Sequence, residues 1–313
     1  MSNSAGPGRH GPALSDLVSM NIPDVERGHV LITGASTGIG RACALYLSKM
    51  GFTVWAGVRK QIDGEKLEDD GGGRVKAIKL DITDAGSIAA TAEQVGAAAG
   101  EQGLCGLVNN AGIVVAGPIE FLPLDQWRRQ FEVNLFGQIA MTQAMLPSLR
   151  KHVVTRGRGA ARIVMMSSIA GKMAQPIVSP YSSSKFALEA VSDALRLEVR
   201  PQGIHVSIIE PGAIETPIWG KGQLAAQGIE ADAPGREIYG PMIDGVLART
   251  RKAERSAVPA ERVAQAVGEC LTRRRPKIRI LVGSDARLGA LVRRLLPDRW
   301  FDAVIERALR SKA

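Results

Sequence analysis

The stretch "HVLITGASTGIGRACALYLSKMG" (29–51) constrains the fold most. Val30, Leu31 and Ile32 form a short, uniformly apolar run, the pattern of a strand covered on both faces rather than one. Gly34, Gly38 and Gly40 follow at once, and then a helical stretch closed by Gly51. A buried strand that turns through glycines straight into a helix leaves the helix's first N–H groups aimed at the turn. Those groups and the helix dipole make a ready site for an anion. The spacing is G-x3-G-x-G rather than the dinucleotide fingerprint G-x-G-x-x-G, but the physical needs match: a sharp turn, close backbone approach to a pyrophosphate, and tight helix–sheet packing.

Six more apolar runs follow: "FTVWAGV" (52–58), "RVKAIKLD" (74–81), "GLCGLVNNAG" (103–112), "ARIVMMSS" (161–168), "IHVSIIEPG" (204–212) and "KIRILVG" (277–283). Helical stretches separate several of them. Thr83 or Asp84 can start one; another runs from about Leu124 to Leu149; a third, 181–200, has Ala187, Val191, Ala194, Leu195 and Val199 on one face. Strands alternating with helices predict an α/β fold, a Rossmann-type doubly wound parallel sheet of about seven strands with helices on both faces. We expect a single domain over 28–285, preceded by a flexible lead (1–27) with a short helix around Leu14–Met20, and followed by a basic amphipathic extension (286–313). No internal repeat interrupts it.

The end of the second strand speaks to the cofactor. An acid there would hold the ribose 2′-hydroxyl of NAD. This strand ends "AGVRK", so Arg59 and Lys60 would attract a 2′-phosphate, with Thr37 as a hydroxyl donor. NADP(H) is the preferred cofactor, with NAD(H) as the alternative.

In "YSSSK" (181–185), Tyr181 and Lys185 stand four apart and share a helix face. A free tyrosine has a pKa of ~10, and bringing it near 7 takes ~4 kcal/mol of phenolate stabilisation. An ammonium ~4 Å away at an effective dielectric of ~20 supplies about that much. The pair therefore suits general acid/base work. No G-x-S-x-G turn supports a serine hydrolase. The cysteines (Cys43, Cys105, Cys270) lie far apart without metal-ligand spacing, and we expect no metal and a reducing, cytoplasmic setting.

Further short strings complete a set: "NNAG" (109–112), "NLFG" (134–137), "SSIAG" (167–171), Tyr181 thirteen residues after Ser168, and "PGAIET" (211–216). With "TGASTGIG" they resemble the short-chain dehydrogenase/reductase family over about 28–283, in order and spacing. "FTVWAGVR", "LDITDAGSI", "GLCGLVNNAGI", "SKFALEAVSDALRLEV" and "HVSIIEPG" resemble its 17β-hydroxysteroid and retinol dehydrogenase branch. The resemblance implies that Tyr181 is the acid/base, that Ser168 bonds the substrate oxygen, and that Lys185 holds the nicotinamide ribose and lowers the tyrosine pKa. It implies that Asn134 holds a relay water, Asp81 contacts adenine, and Asn109 the adenosine side. Ile214 and Thr216 would hold the carboxamide. Ser36, Ile39, Ile82, Ala111, Gly112, Pro211 and Gly212, with the turn glycines, would complete the cofactor contacts. Ser167 should face away. The family commonly pairs through the helices near 124–149 and 181–200, which implies a homodimer or homotetramer.

The substrate should lie under about 217–258, a segment mixing apolar and small residues without an arginine pair for a polyanion. A hydrophobic alcohol or ketone, steroid- or retinoid-like, fits it, with Trp219, Leu224, Tyr239 and Met242 as lining candidates. Departures from the branch are the N-terminal lead, the basic loop "KHVVTRGRGAAR" (151–162) and the lack of a long apolar anchor. From Arg249 onward the chain holds 17 Lys/Arg against 7 Asp/Glu, while the whole carries +9, so the basicity is C-terminal. In 286–313, Leu288, Leu291, Val292 and Leu295 form a stripe beside Arg287, Arg293 and Arg294, suited to anionic lipid or equally to packing on the domain or a partner subunit. Nothing accompanies the charge that would read nucleic acid. The rival functions are an NAD-dependent retinol or 3-hydroxyacid dehydrogenase and a catalytically silent dinucleotide-binding sensor or scaffold.

Overall fold

The computed structural model describes residues 27–216 and 234–310. Seven strands form one parallel sheet: β1 (His29–Ile32), β2 (Thr53–Val58), β3 (Val75–Lys79), β4 (Leu104–Asn109), β5 (Ala161–Met166), β6 (Ile204–Pro211) and β7 (Arg279–Val282). The order across it is β3-β2-β1-β4-β5-β6-β7. The chain winds outward from β1 to one edge, then returns to β4 beside β1 and winds to the other. The reversal opens a crevice past the C-terminal ends of β1 and β4, where such sheets bind ligands.

Alternation along each strand divides the core into two layers. Val30, Ile32, Val54, Ala56, Val164 and Met166 face one way, against Cys43 and Leu47 of α1 (Gly38–Lys49), Leu67 of α2 (Gln61–Asp70) and Val263, Val267 and Leu271 of a later helix, α8 (Ala260–Thr272). Leu31, Trp55, Ile163 and Met165 face the other way. They meet Ile88 and Val95 of α3 (Ala85–Ala99), Met141, Met145 and Leu149 of α5 (Gly137–Arg156), and Leu188 and Val199 of α6 (Ser179–Val199). β2, β4 and β5 are buried along their whole length, which explains their unbroken apolar sequence. On α6, Ala194 is exposed rather than on the buried stripe.

Several details differ from the sequence expectation. The stretch expected as one helix from Leu124 is α4 (Leu124–Phe131), a single π turn (Glu132–Phe136) and α5. Asp84, not Thr83, caps α3, its carboxylate accepting from the N–H groups of Gly86 (2.7 Å) and Ser87 (3.1 Å). Between β6 and β7 the described chain forms α7 (Pro234–Arg255) and α8. After β7 come α9 (Ser284–Leu295) and α10 (Asp298–Arg310), the two helices expected around Pro297. Their inner faces pack on the domain: Phe301 and Ile305 join Met173 in a small cluster edged by Ile169, Val292 and Leu309. Leu288, Leu291 and Leu295 remain exposed. The expected helix at Leu14–Met20 lies outside the described residues.

Candidate active site

Thr33, just past β1, is fully buried and its hydroxyl accepts from the N–H groups of Asn110 and Ala111, both at 2.9 Å. Asn110 answers by donating its amide to the carbonyls of Thr33 and Gly34, each at 3.0 Å. The ends of β1 and β4 are thus laced together, and the turn between β1 and α1 is held open beside them. Gly34 needs its freedom: φ is +65°, and a Cβ there would sit 2.8 Å from Ala111 Cα. A Cβ on Gly40 would collide with the Gly34 carbonyl and the Asn110 amide.

Past these strand ends lies a cavity of about 410 Å³. It runs from the glycine turn (Gly34, Ser36, Thr37, Gly38, Ile39, Gly40) and the end of β2 (Arg59), past Asp81 and Ile82, to Ala111 and Gly112. Its far end meets Ser168, Tyr181, Lys185, Pro211, Gly212, Ile214 and Thr216. A glycine-rich turn at a helix N-terminus, with a lining that extends from it to Tyr181 and Lys185, fits a nicotinamide dinucleotide. Asp81 is held by Thr83, whose N–H (2.9 Å) and hydroxyl (2.7 Å) both donate to it. Those bonds, with Arg59 nearby, keep its carboxyl below the usual range.

At the far end, Lys185 is buried; its ammonium donates to the Met166 carbonyl at 2.7 Å and lies 5.8 Å from the Tyr181 ring centre. Burial lowers its pKa to about 8, against the opposing pull of Glu189. Tyr181 is raised above its ordinary value, chiefly by desolvation, with a hydrogen bond from Ser168 acting the other way. Desolvation of the phenol outweighs that hydrogen bond. The phenol pays a desolvation cost, and the ammonium is engaged with a backbone carbonyl. Ser168 caps the turn after β5, accepting from Ala170 N–H at 3.1 Å, and its hydroxyl lies 3.5 Å from the Pro211 carbonyl.

Other expected residues fall elsewhere. Asn109 does not line the cavity: it is fully buried and donates to the Thr142 hydroxyl at 2.7 Å, because a strand residue one position earlier points to the opposite face from Asn110. Asn110 takes its place. Asn134 sits in the π turn, completely buried, and also stands off the cavity. Its side chain binds both polar groups of the Ile113 backbone (2.9 and 3.1 Å) and the Ser184 hydroxyl (3.2 Å). Ser167 borders the cavity, contrary to expectation, although its hydroxyl is buried toward Gly171. Tyr239 and Met242 are on α7 away from the cavity; Tyr239 packs near Ala116, Ile177 and Ile243 and donates to Glu120 at 3.0 Å, and Met242 is exposed. Trp219 and Leu224 lie outside the described residues. Arg129, Glu132 and Val133 line the cavity from α4 and the π turn. No motif marks them; they are reached only once that segment is known to pack along α6.

A family model described as short chain dehydrogenase matches residues 28–225. The chain belongs to the short-chain dehydrogenase/reductase family. An NADPH-dependent 3-dehydrocapnine reductase from Ornithobacterium rhinotracheale is 34% identical over 284 residues, covering 90% of this chain and 98% of that one. Retinol dehydrogenase 5 of Mus musculus is 36% identical over 284 residues, covering 88% and 87%. A short-chain dehydrogenase structure from Streptomyces avermitilis is 31% identical with a TM-score of 0.70, covering 90% of this chain and 94% of that one. This short-chain dehydrogenase/reductase is accordingly an NAD(P)-linked oxidoreductase acting on CH–OH or carbonyl groups.

Proposed function

We propose that the protein is an NADP(H)-dependent oxidoreductase interconverting an apolar secondary alcohol and its ketone, steroid- or retinoid-like in character, with Tyr181 as the acid/base. The observation that carries the cofactor choice is Arg59, which borders the cavity at the end of β2, a strand that ends in Arg59 and Lys60 rather than in an acid. The NADPH dependence in the name of the Ornithobacterium relative supports the same reading. The apolar character of the substrate is supported by Ile113 and Ile214 on the cavity and by the cluster that α7 closes over Ala116 and Ile177.

The glycine turn would hold the pyrophosphate, Arg59 the 2′-phosphate, and Lys185 the ribose nearest the reacting ring. When bound, the nicotinamide supplies or accepts the hydride. Everything else falls to side chains of this chain. Ser168 orients the substrate oxygen toward Tyr181. Tyr181, protonated at neutral pH because burial raises its pKa, delivers its phenolic proton to that oxygen in reduction. Lys185 stabilises the phenolate left behind, and the buried setting strengthens that attraction.

A panel of steroids, retinoids and aliphatic ketones, each followed by nicotinamide absorbance with NADPH and with NADH, tests the reading. Faster turnover with NADH would overturn the cofactor assignment. For assembly, Phe136, Phe186 and Leu197 are exposed on the π turn and α6, where a second copy would cover them. The exposed leucines of α9, with Arg287 and Arg294 among them, suit anionic lipid. Sedimentation with and without anionic vesicles reads both.

A further inference from the structure

The chain that leaves β6 closes the far end of the cavity: Pro211, Gly212, Ile214 and Thr216 all line it. Past the last residue of the sheet, this backbone must find other hydrogen-bond partners, and those partners decide where Ile214 and Thr216 stand. Gly212 extends the pairing of β6 with β7, donating its N–H to the Val282 carbonyl at 2.9 Å. Farther on, Ile214 makes an isolated parallel bridge with Val258, shortly before α8. There the Val258 N–H donates to the Ala213 carbonyl at 2.9 Å, and the Glu215 N–H donates to the Val258 carbonyl at 3.0 Å. Between these backbone anchors stands the Ala213 N–H, and a side chain holds it. It donates to Asp285 Oδ2 at 2.7 Å.

Asp285 lies in the first turn of α9, the helix that follows β7. An acid suits a helix start, where the dipole favours negative charge. Here the carboxylate also reaches across to the neighbouring strand end. Two glycines leave it room. A Cβ on Gly212 would collide with both carboxylate oxygens, and a Cβ on Gly283 with one of them; Gly283 also holds φ at +108°. The next residue, Ala286, is fully buried, which fixes the start of the helix against the domain. The same helix touches the other loop of the far end. A Cβ on Gly289 would stand 3.0 Å from Met173 Sδ and 3.5 Å from Ile169, in the short turn (Ile169–Gly171) that Ser168 caps. The Ser168 hydroxyl lies 3.5 Å from the Pro211 carbonyl. α9 thus braces both loops that carry lining residues beside Tyr181.

Resting on the reading that Ile214 and Thr216 face the nicotinamide, we propose that Asp285 is a positioning residue for the reactive end of the cofactor. By accepting from the Ala213 N–H, it fixes the segment that carries Ile214 and Thr216. Asp285 is not among the residues that line the cavity, so it acts through that segment. Without the carboxylate, the segment stays tethered on either side of Ala213 and gains freedom between the tethers. The loss falls on the nicotinamide end. The adenosine end, at the glycine turn and Arg59, is untouched. The N–H requires an acceptor oxygen rather than a charge, so an amide at this position serves.

The test reads binding by the full-length protein and needs no organic substrate. By isothermal titration, NADPH is compared with 2′-phospho-ADP-ribose, and NADH with ADP-ribose. Each fragment keeps the adenosine end and pyrophosphate of its dinucleotide and lacks the nicotinamide. Asp285→Ala should weaken the better dinucleotide about tenfold, as expected for one lost hydrogen bond to a charged group, and leave its fragment unchanged. Asp285→Asn, which keeps an acceptor oxygen, should recover most of the affinity. Equal weakening of dinucleotide and fragment, no change in either, or an Asp285→Asn variant as weak as Asp285→Ala would overturn the proposal, since loosened packing does not spare the fragment. Should Asp285→Ala fail to fold, Asp285→Ser decides by the same criteria, its hydroxyl being too short to reach Ala213. Thr216→Val separates the proposal from the reading beneath it. If it weakens the dinucleotide alone while Asp285→Ala does nothing, only the role of Asp285 falls. If both variants are silent, the placement of the nicotinamide falls with it.

Discussion

At the residue scale, Lys185 is where burial and chemistry meet. Its pKa is lowered to about 8 because desolvation outweighs Glu189. The ammonium is therefore complete below that value and is lost as pH rises through it. If the charge holds the ribose and stabilises the tyrosine, kcat/KM should fall on the alkaline side with a midpoint near 8, and a pH–rate profile checks this. A profile that stays flat well above the midpoint would show that the charge is not needed. Ser168, Tyr181 and Lys185 could be singled out in the sequence because the proposed acid/base chemistry demands fixed residue types at fixed spacings, and all three line the cavity. The fate of Asn109 could not. Two adjacent asparagines look alike in a string, and only the facing of β4 decides that Asn110 turns to the cavity while its neighbour turns to Thr142.

At the element scale, the first unit and the end of β2 carry the cofactor argument. Gly40→Ala should place a methyl against the Gly34 carbonyl and distort the turn, costing about 1–3 kcal/mol. Quenching of intrinsic fluorescence by cofactor should then show weakened binding. Arg59→Ser should remove a charge-assisted bond worth ~1.5–3 kcal/mol, so NADPH affinity should drop about tenfold to a hundredfold while NADH affinity barely moves. Isothermal titration with both nucleotides measures it. All seven strands were legible: β2, β4 and β5, buried on both faces, leave continuous apolar runs, and β3 keeps Val75 and Ile78 buried beside exposed lysines. Less legible were α2, with only Gly64 and Leu67 buried, and α7, whose Pro241 argues against a helix interior. The π turn was invisible, because inserting one residue into a helix leaves no mark in composition.

At the scale of the whole molecule, the C-terminal helices are part of the body rather than an appendage. Phe301 and Ile305 of α10 close over Met173, three residues after Ala170 in the turn that follows Ser168, and α10 also lies along α7. Phe301→Ala should cost about 3 kcal/mol and lower the melting temperature, which calorimetry would show. It should raise KM for the organic substrate more than for the nucleotide, since the glycine turn is distant in the sheet order. The account's central claim is that the protein moves a hydride between a nicotinamide and an apolar carbonyl with Tyr181 supplying the proton. The most direct measurement is nicotinamide absorbance over the substrate panel, comparing the native chain with Tyr181→Phe and recording nucleotide binding in both. The account predicts turnover by the native chain, a loss of at least about a hundredfold in the variant, and nucleotide binding retained; equal turnover by Tyr181→Phe would contradict it.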